Sequence, residues 1–349
     1  MLIAKTIFRL PNTIFKTENL SPLVTVIQLL VKVMISIKIF LIMQFDRLKI
    51  VSNIKNISCI DNGCFEKKMK NGRIVGWHFK QDCPFLLSIE KKNLKNELII
   101  EFTGKILEER YPELISSNTI ERCLDKINEL GICKLKVDSI LEDACVLKCD
   151  VTCDVTYDDL RGLTAGIRVG LKNYLKYTCR LADDNLIITN NVSTPNRKIR
   201  LVIYDKEKEM NMAKNAGYRA MRECDNFKGK IRFELNLTSV AQIRKRLKIK
   251  DTTLVSVLNS SATPIIDFLN EVIVDRTKGV AFKKLRQYER WLLLEKCDKD
   301  LAKVEIIVRK FSASKVSVKQ MMKPYRELMD NYKGDSINIR EELNHLLTS

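Results

Sequence analysis

The chain has 349 residues, room for two domains at about 100–200 residues each, and a composition of 45% hydrophobic and 30% charged residues with 12 Gly and 7 Pro excludes a disordered, collagenous or linker-like polypeptide. Lys and Arg number 61 against 43 Asp and Glu, and the net charge of +18 points to a polyanionic partner rather than a small metabolite. The 11 cysteines include no Cys-x-x-Cys pair and only 2 histidines occur, His78 and His345, which sets aside zinc ribbons, thioredoxin-like motifs, histidine-rich metal sites and most histidine-based catalysis.

Residues 22–43 form one long apolar run interrupted by Gln28, Lys32 and Lys38. The run is long enough to span a membrane, yet each mid-span lysine costs roughly 2.5–3.5 kcal/mol on insertion scales, and no signal-peptide cleavage pattern follows. A membrane partner is therefore not expected. Met43 opens MQFDRLKIVSNI, which reads as a strand, so residues 1–42 are expected to be an apolar extension outside the fold. A membrane or interfacial segment and a core helix are the other readings of that run. Short strands at 46–51, 74–79, 85–90 and 97–103, joined by basic polar turns, predict an antiparallel sheet. A helix over 117–130 follows, with Ser117 as its cap and Ile120, Leu124, Ile127 and Leu130 at helical spacing. Cys145, Cys149 and Cys153 would share one strand face at intervals of about 13 Å, too far apart for a common metal, and are expected to be reduced thiols. After residue 238 the pattern turns helical, near 239–248, 252–275, 281–297, 299–311 and 315–332. This order predicts an α+β fold: an antiparallel-sheet domain over 43–238 and a helical C-terminal region over 239–349 for DNA binding or dimerisation.

Three segments alternate apolar and polar residues with period two. In 146–156, Leu147, Cys149, Val151, Cys153 and Val155 share one face and Lys148, Asp150, Thr152 and Asp154 the other. In 197–206, Ile199, Leu201 and Ile203 oppose Arg200, Val202, Tyr204 and Lys206. In 231–237, Ile231, Phe233, Leu235 and Leu237 oppose Arg232, Glu234 and Asn236. If these strands pair, their polar faces make one surface. Carboxylates there suit Mg²⁺ or Mn²⁺, and a phenol becomes a nucleophile toward phosphorus when a cation stabilises charge on the phosphate. Any half-buried antiparallel sheet also shows such a solvated polar face, so the alternation alone leaves both readings open.

The wording of the segments adds to this. VLKCDVTCDV, RKIRLVIYDKEKEM and GKIRFELNLTSVAQIRKRLKI, in that order, resemble rolling-circle replication initiators: the filamentous-phage gene II/X replication proteins and the Rep proteins of small plasmids. The shared pattern is a strand carrying an aspartate, a strand ending in Tyr-x-Lys before acidic residues, and an Arg-Phe-Glu strand leading into a helix. The resemblance implies a site-specific nickase and strand transferase whose tyrosine attacks a DNA phosphodiester, becomes linked to the 5′ phosphate and frees a 3′-OH that primes replication of a plasmid or phage. Carried over residue by residue, it assigns the nucleophile to Tyr204, its lysine to Lys206, and metal ligands for Mg²⁺ or Mn²⁺ to Asp150, Asp154 and Glu234. The two-histidine metal motif of the wider nickase superfamily has no counterpart here, so the metal would rest on carboxylates. Tyr157, Tyr174 and Tyr177 compete for the nucleophile but stand outside a Tyr-x-Lys context. Lys206 would steady the phosphate or lower the phenol pKa, or simply be solvated. The implied partners are double- and single-stranded origin DNA, a host helicase and a second copy of the chain, in the cytoplasm.

Residues 239–259 carry a further DNA-binding reading. Val240, Ile243 and Leu247 form one helical face, Arg244, Lys245, Arg246 and Lys248 cover the rest, and a short link leads to Leu254, Val257 and Leu258. This loosely resembles a helix-turn-helix. With Arg200 and Arg232, these four cations make up the expected DNA-binding set. The alternatives are a basic helix packed on the sheet, and a DNA-binding regulator without catalytic activity.

A chain beginning at Met43 should fold and keep its DNA-cleaving activity. Loss of solubility or of cleavage in that shortened chain would show that residues 1–42 belong to the fold.

Overall fold

The computed structural model describes residues 43–348 apart from 61–62, 80–82, 84, 158, 172–175, 183–184, 195–197, 213–214, 216–224, 274–283, 313–314 and 332–338. The expected extension over 1–42 lies outside the described residues. Among them, no helix is long and apolar enough to cross a membrane.

The strands β1 (Phe45–Asn53), β3 (Phe65–Lys70), β4 (Arg73–Phe79), β5 (Leu86–Lys92), β6 (Glu97–Thr103), β8 (Cys145–Thr156), β9 (Tyr177–Ala182), β10 (Asn185–Asn190), β11 (Arg200–Asp205) and β12 (Lys230–Leu237) form a ten-stranded antiparallel sheet. Its order is β3-β4-β5-β6-β1-β8-β12-β11-β10-β9. A separate pair joins β2 (Ile57–Ile60) to β7 (Cys133–Leu135). The helices are α1 (Ile120–Glu129), α2 (Val137–Asp143), α3 (Leu160–Gly170), α4 (Lys206–Met210), α5 (Val240–Leu247), α6 (Leu254–Leu258), α7 (Pro264–Val272), α8 (Leu285–Lys296), α9 (Leu301–Lys310), α10 (Lys315–Asp330) and α11 (Ile339–Thr348). The protein is α+β, as expected, with an antiparallel sheet and a helix-rich C-terminal half.

The period-two alternation decides which face is buried. Cys149, Val151 and Val155 of β8, Leu201 and Ile203 of β11, and Ile231, Phe233, Leu235 and Leu237 of β12 all lie in the main core. Ile243 and Leu247 of α5, Phe268 and Val272 of α7 and Leu343 of α11 belong to that same core, so these helices cover the apolar face. The boundary expected at 238/239 therefore does not separate two domains: the described residues belong to one compact unit, Ile42–Ser349. α8, α9 and α10 build a cluster of their own, around Trp291, Leu294, Val304, Val308 and Met322.

The helix expected over 252–275 is broken. α6 stops at Leu258, and α7 starts at Pro264, whose missing N–H and fixed φ suit a first turn but not a helix interior. This weakens the helix-turn-helix reading as well. At five residues, α6 is about 7.5 Å long, and Leu254, Val257 and Leu258 are buried. α6 is thus not a recognition helix that could lie in a groove.

Gly76 sits where β4 meets β5, and a Cβ added there would run into the backbone carbonyl of Lys91. Gly76→Ala should therefore pry the β3–β4 hairpin from the sheet at a cost of about 1–3 kcal/mol. Faster amide exchange over β3 and β4, with β8 and β12 unaffected, would verify this.

Candidate functional site

The three alternating strands are neighbours, with β12 between β8 and β11. Their register sets the polar residues in rows: Asp154, Arg232 and Tyr204; Thr152, Glu234 and Val202; Asp150, Asn236 and Arg200. Arg47 of β1 extends the last row beside Asp150. A register shift between Phe45 and Arg47 lets both Asp46 and Arg47 serve the polar face while Phe45 and Leu48 stay in the core.

Arg232 is fully buried at the centre of a polar network. Its Nε and Nη2 donate to the two Asp154 oxygens at 2.6 and 2.7 Å, and its Nη1 donates to Asp46 Oδ1 at 2.6 Å and to the Tyr111 hydroxyl at 2.8 Å. The Tyr111 hydroxyl also accepts from Lys206 Nζ at 2.8 Å and donates to Asp46 Oδ1 at 2.6 Å. Lys206 donates as well to Glu209 Oε2 at 2.8 Å. Burial pushes the Asp46 carboxyl up, but Arg232 and Lys206 outweigh it and hold it below the usual range. Burial likewise opposes ionisation of Glu209, yet Lys206 brings it down to about 2.

Three expected assignments change here. Arg232, read as a DNA contact, has no exposed surface and its donors are spent inside the protein. Asp154, read as a metal ligand, is held in a two-pronged ion pair by that guanidinium. Lys206, read as a phosphate-steadying lysine, is 1% exposed, and its Nζ lies 5.9 Å from the Tyr204 ring centroid. All three belong to the scaffold under the site, because a buried charge is tolerable only when paired.

Tyr204, Glu234 and Asp150 remain beside this scaffold. The Tyr204 hydroxyl donates to Glu234 Oε2 at 3.1 Å, and Asn236 Nδ2 donates to Glu234 Oε1 at 3.0 Å. Burial, reinforced by the Glu234 charge, keeps the Tyr204 phenol protonated well above its usual range. Burial and then Asp46 push Glu234 up, and burial and then Glu234 push Asp150 up to about 7. Two carboxylates short of counter-charge suit a divalent cation that completes its shell with substrate phosphate and water. Asp150 and Glu234 would hold it; among the described residues, no group of three or more acidic, His or Cys side chains converges on one point.

Next to Asp150 opens a groove of about 640 Å³ on the polar face, lined by Arg47, Lys148, Arg180, Lys198 and Arg200. Asp150 is the lone carboxylate among the described residues lining it. Arg200 Nε donates to Asn236 Oδ1 at 2.7 Å, and Arg47 Nε donates to Glu101 Oε1 at 2.8 Å. The expected cations of 244–248 are elsewhere, on and beyond the helix that covers the apolar face. Arg244 and Lys245 are exposed, but Arg246 pairs with Glu271 at 2.8 Å and Lys248 with Asp267 at 2.7 Å. Two of the four are thus paired within the protein, and none lines the groove beside Asp150.

Sequence reasoning missed Asp46, Arg47, Glu101 and Tyr111. The two polar residues between Phe45 and Leu48 interrupt the alternation, which is the trace a bulge leaves. Tyr111, in a 3₁₀ stretch over Gly104–Glu113, carries no such trace. No protein-family model matches the chain, and no curated protein matches it.

Because Asp150 titrates near 7 in the folded chain and near 3.8 otherwise, folding takes up a proton. The associated stability is complete below about pH 4 and is lost as pH rises through 7, by up to about 4 kcal/mol. In a chelator, Asp150→Asn should thus melt progressively higher than the parent as pH rises from about 4 to 8. A gap that does not change with pH would mean that Asp150 is an ordinary solvated carboxylate.

Proposed function

We propose that the protein nicks and rejoins one DNA strand at a plasmid or phage origin, with Tyr204 as nucleophile, and so initiates rolling-circle replication. The observation that carries this reading is the Tyr204–Glu234 hydrogen bond, with Glu234 one row along the polar face from Asp150, which lines a groove with five cations. The resemblance of the three strand segments to replication initiators supports it independently.

In this mechanism the groove cations bind the phosphates of one strand and set a phosphorus before the Tyr204 oxygen. Glu234 Oε2 takes the phenol proton, a role its raised pKa suits. The tyrosine oxygen bonds to phosphorus, the bond to the 3′ oxygen breaks, and that oxygen leaves as a hydroxyl with a proton from solvent. The 5′ phosphate stays on Tyr204, and attack by a 3′-OH reverses the step to rejoin the strand. Mg²⁺ or Mn²⁺ on Asp150 and Glu234 would stabilise the charge on the phosphate. Asn236 and Arg200 keep Glu234 oriented from the groove side.

Tyr204 is better suited than Tyr111, although burial raises both phenols. The Tyr111 oxygen accepts from two cations and donates to Asp46, and it has no exposed surface. The Tyr204 side chain is half-buried and its hydroxyl donates to one carboxylate.

Tyr204→Phe should fold and bind DNA normally but form no covalent protein–DNA adduct on a supercoiled origin plasmid with Mg²⁺ or Mn²⁺. Glu234→Gln and Asp150→Ala should each slow adduct formation by about a hundredfold or more, the scale of a lost general base or metal ligand. Adduct formation by the Tyr204→Phe variant would refute the assignment.

A further inference from the structure

We infer that the β3–β4 hairpin is a DNA-gripping arm that enters the major groove of the duplex flanking the nicked strand. The inference that the arm grips duplex rests on DNA being the partner, and its placement beside the cut strand rests on the proposed nicking site. From Glu66 to Ile74 every residue of the hairpin is exposed. β3 is the sheet's edge strand, and β4 pairs with β5 only over Gly76–His78, so the tip overhangs its neighbour as a two-stranded ribbon. The turn uses Asn71 at φ 49° and Gly72 at φ 72°, the Asn-Gly pair that closes a tight right-twisted hairpin.

The charge on this ribbon is one-sided. Lys67, Lys68, Lys70 and Arg73 stand against one carboxylate, Glu66. Lys70 and Arg73 face each other across the tip and form no ion pair among the described residues. Lys67 lies 5.3 Å from the centroid of the Trp77 ring, and Lys68 pairs with Glu90 of β5 at 3.3 Å, which steadies the base of the arm. Met69 and Ile74 are register partners, 56% and 41% exposed. A hydrophobic pair held out between cations costs solvation unless it meets a partner with both phosphates and apolar edges.

Duplex DNA supplies both. Its major groove admits a two-stranded ribbon, its phosphates flank the groove, and thymine methyl groups line the floor. The corresponding groove of duplex RNA is too deep and narrow for side chains to read. In sheet order β3 is five strands from β8, about 24 Å at about 4.8 Å per strand, or about seven base pairs. The arm is thus placed to hold duplex on one side of the strand being cut.

The test uses the full chain carrying Lys67→Gln, Lys68→Gln, Lys70→Gln and Arg73→Gln, and separately Met69→Ser with Ile74→Ser. Binding is measured by fluorescence anisotropy on a 24-base-pair duplex, the matching single strand, duplex RNA and phosphatidylserine vesicles; thermal melting checks the fold. The expected result is a duplex DNA affinity about tenfold or more lower for the charge variant, with a salt slope shallower by about three to four, and unchanged single-strand binding. The apolar variant should lose duplex affinity without a change in slope. Unchanged duplex binding, an equal loss on single and double strands, or ribbon-dependent binding to RNA or vesicles as strong as to duplex DNA would each overturn the inference. Adduct formation on a single-stranded oligonucleotide, assayed in parallel, reports on Tyr204 alone.

Discussion

Arg232 carries its charge where solvent does not reach, and the polar face of the sheet is organised around neutralising it. Four segments far apart in sequence meet at that guanidinium: β1 through Asp46, the 3₁₀ stretch through Tyr111, β8 through Asp154, and β12 itself. A buried guanidinium with one carboxylate removed would cost about 3–5 kcal/mol, so the network holds these segments in one arrangement. Lys206 and Glu209 extend it into α4, which follows β11 directly. The strand that bears Tyr204 is therefore anchored just past the phenol.

The face is graded along its length. At the Arg232 end, Tyr111, Leu114, Met210 and Phe227 close an apolar cap over the ion pairs. At the other end the groove is open and basic, with Arg47 tethered by the buried Glu101. Glu234 lies between the two and Asp150 lines the groove, both buried enough for their charges to be costly. Carboxylates in such a position hold a proton more readily than solvated ones, and a nearby cation opposes this. That property separates them from Asp154, whose charge is already neutralised.

Two phenols within one network show how environment sets chemistry. Both are raised by burial. The oxygen of Tyr111 has three partners, two of them cations, and acts as a cross-brace. That of Tyr204 donates to a single carboxylate, Glu234. Residue type is the same, and the partner decides the role.

From Cys149 onward the apolar–polar alternation of three segments determined which residues face the core, because a strand's period is two and a one-residue slip would bury a charge; at the start of β8 a register shift puts Val146, not the expected Leu147, into the core. It also brought Asp150, Glu234, Tyr204 and Arg200 onto one face, which the register bears out. What it could not determine was which charges pair with which. Asp154 and Asp150 have the same parity on one strand, and only the Arg232 opposite Asp154 makes one a scaffold ion and leaves the other beside Glu234 and the groove. Lys206 shares the parity of Tyr204, yet α4 begins at that residue and turns its amine inward onto Tyr111. The basic helix after β12 was legible as a helix, but not that its apolar stripe would seat it on the far side of the sheet. Local pattern fixes faces through steric periodicity; the pairing of charges is non-local, and the buried network settles it by requiring that each ion find its partner.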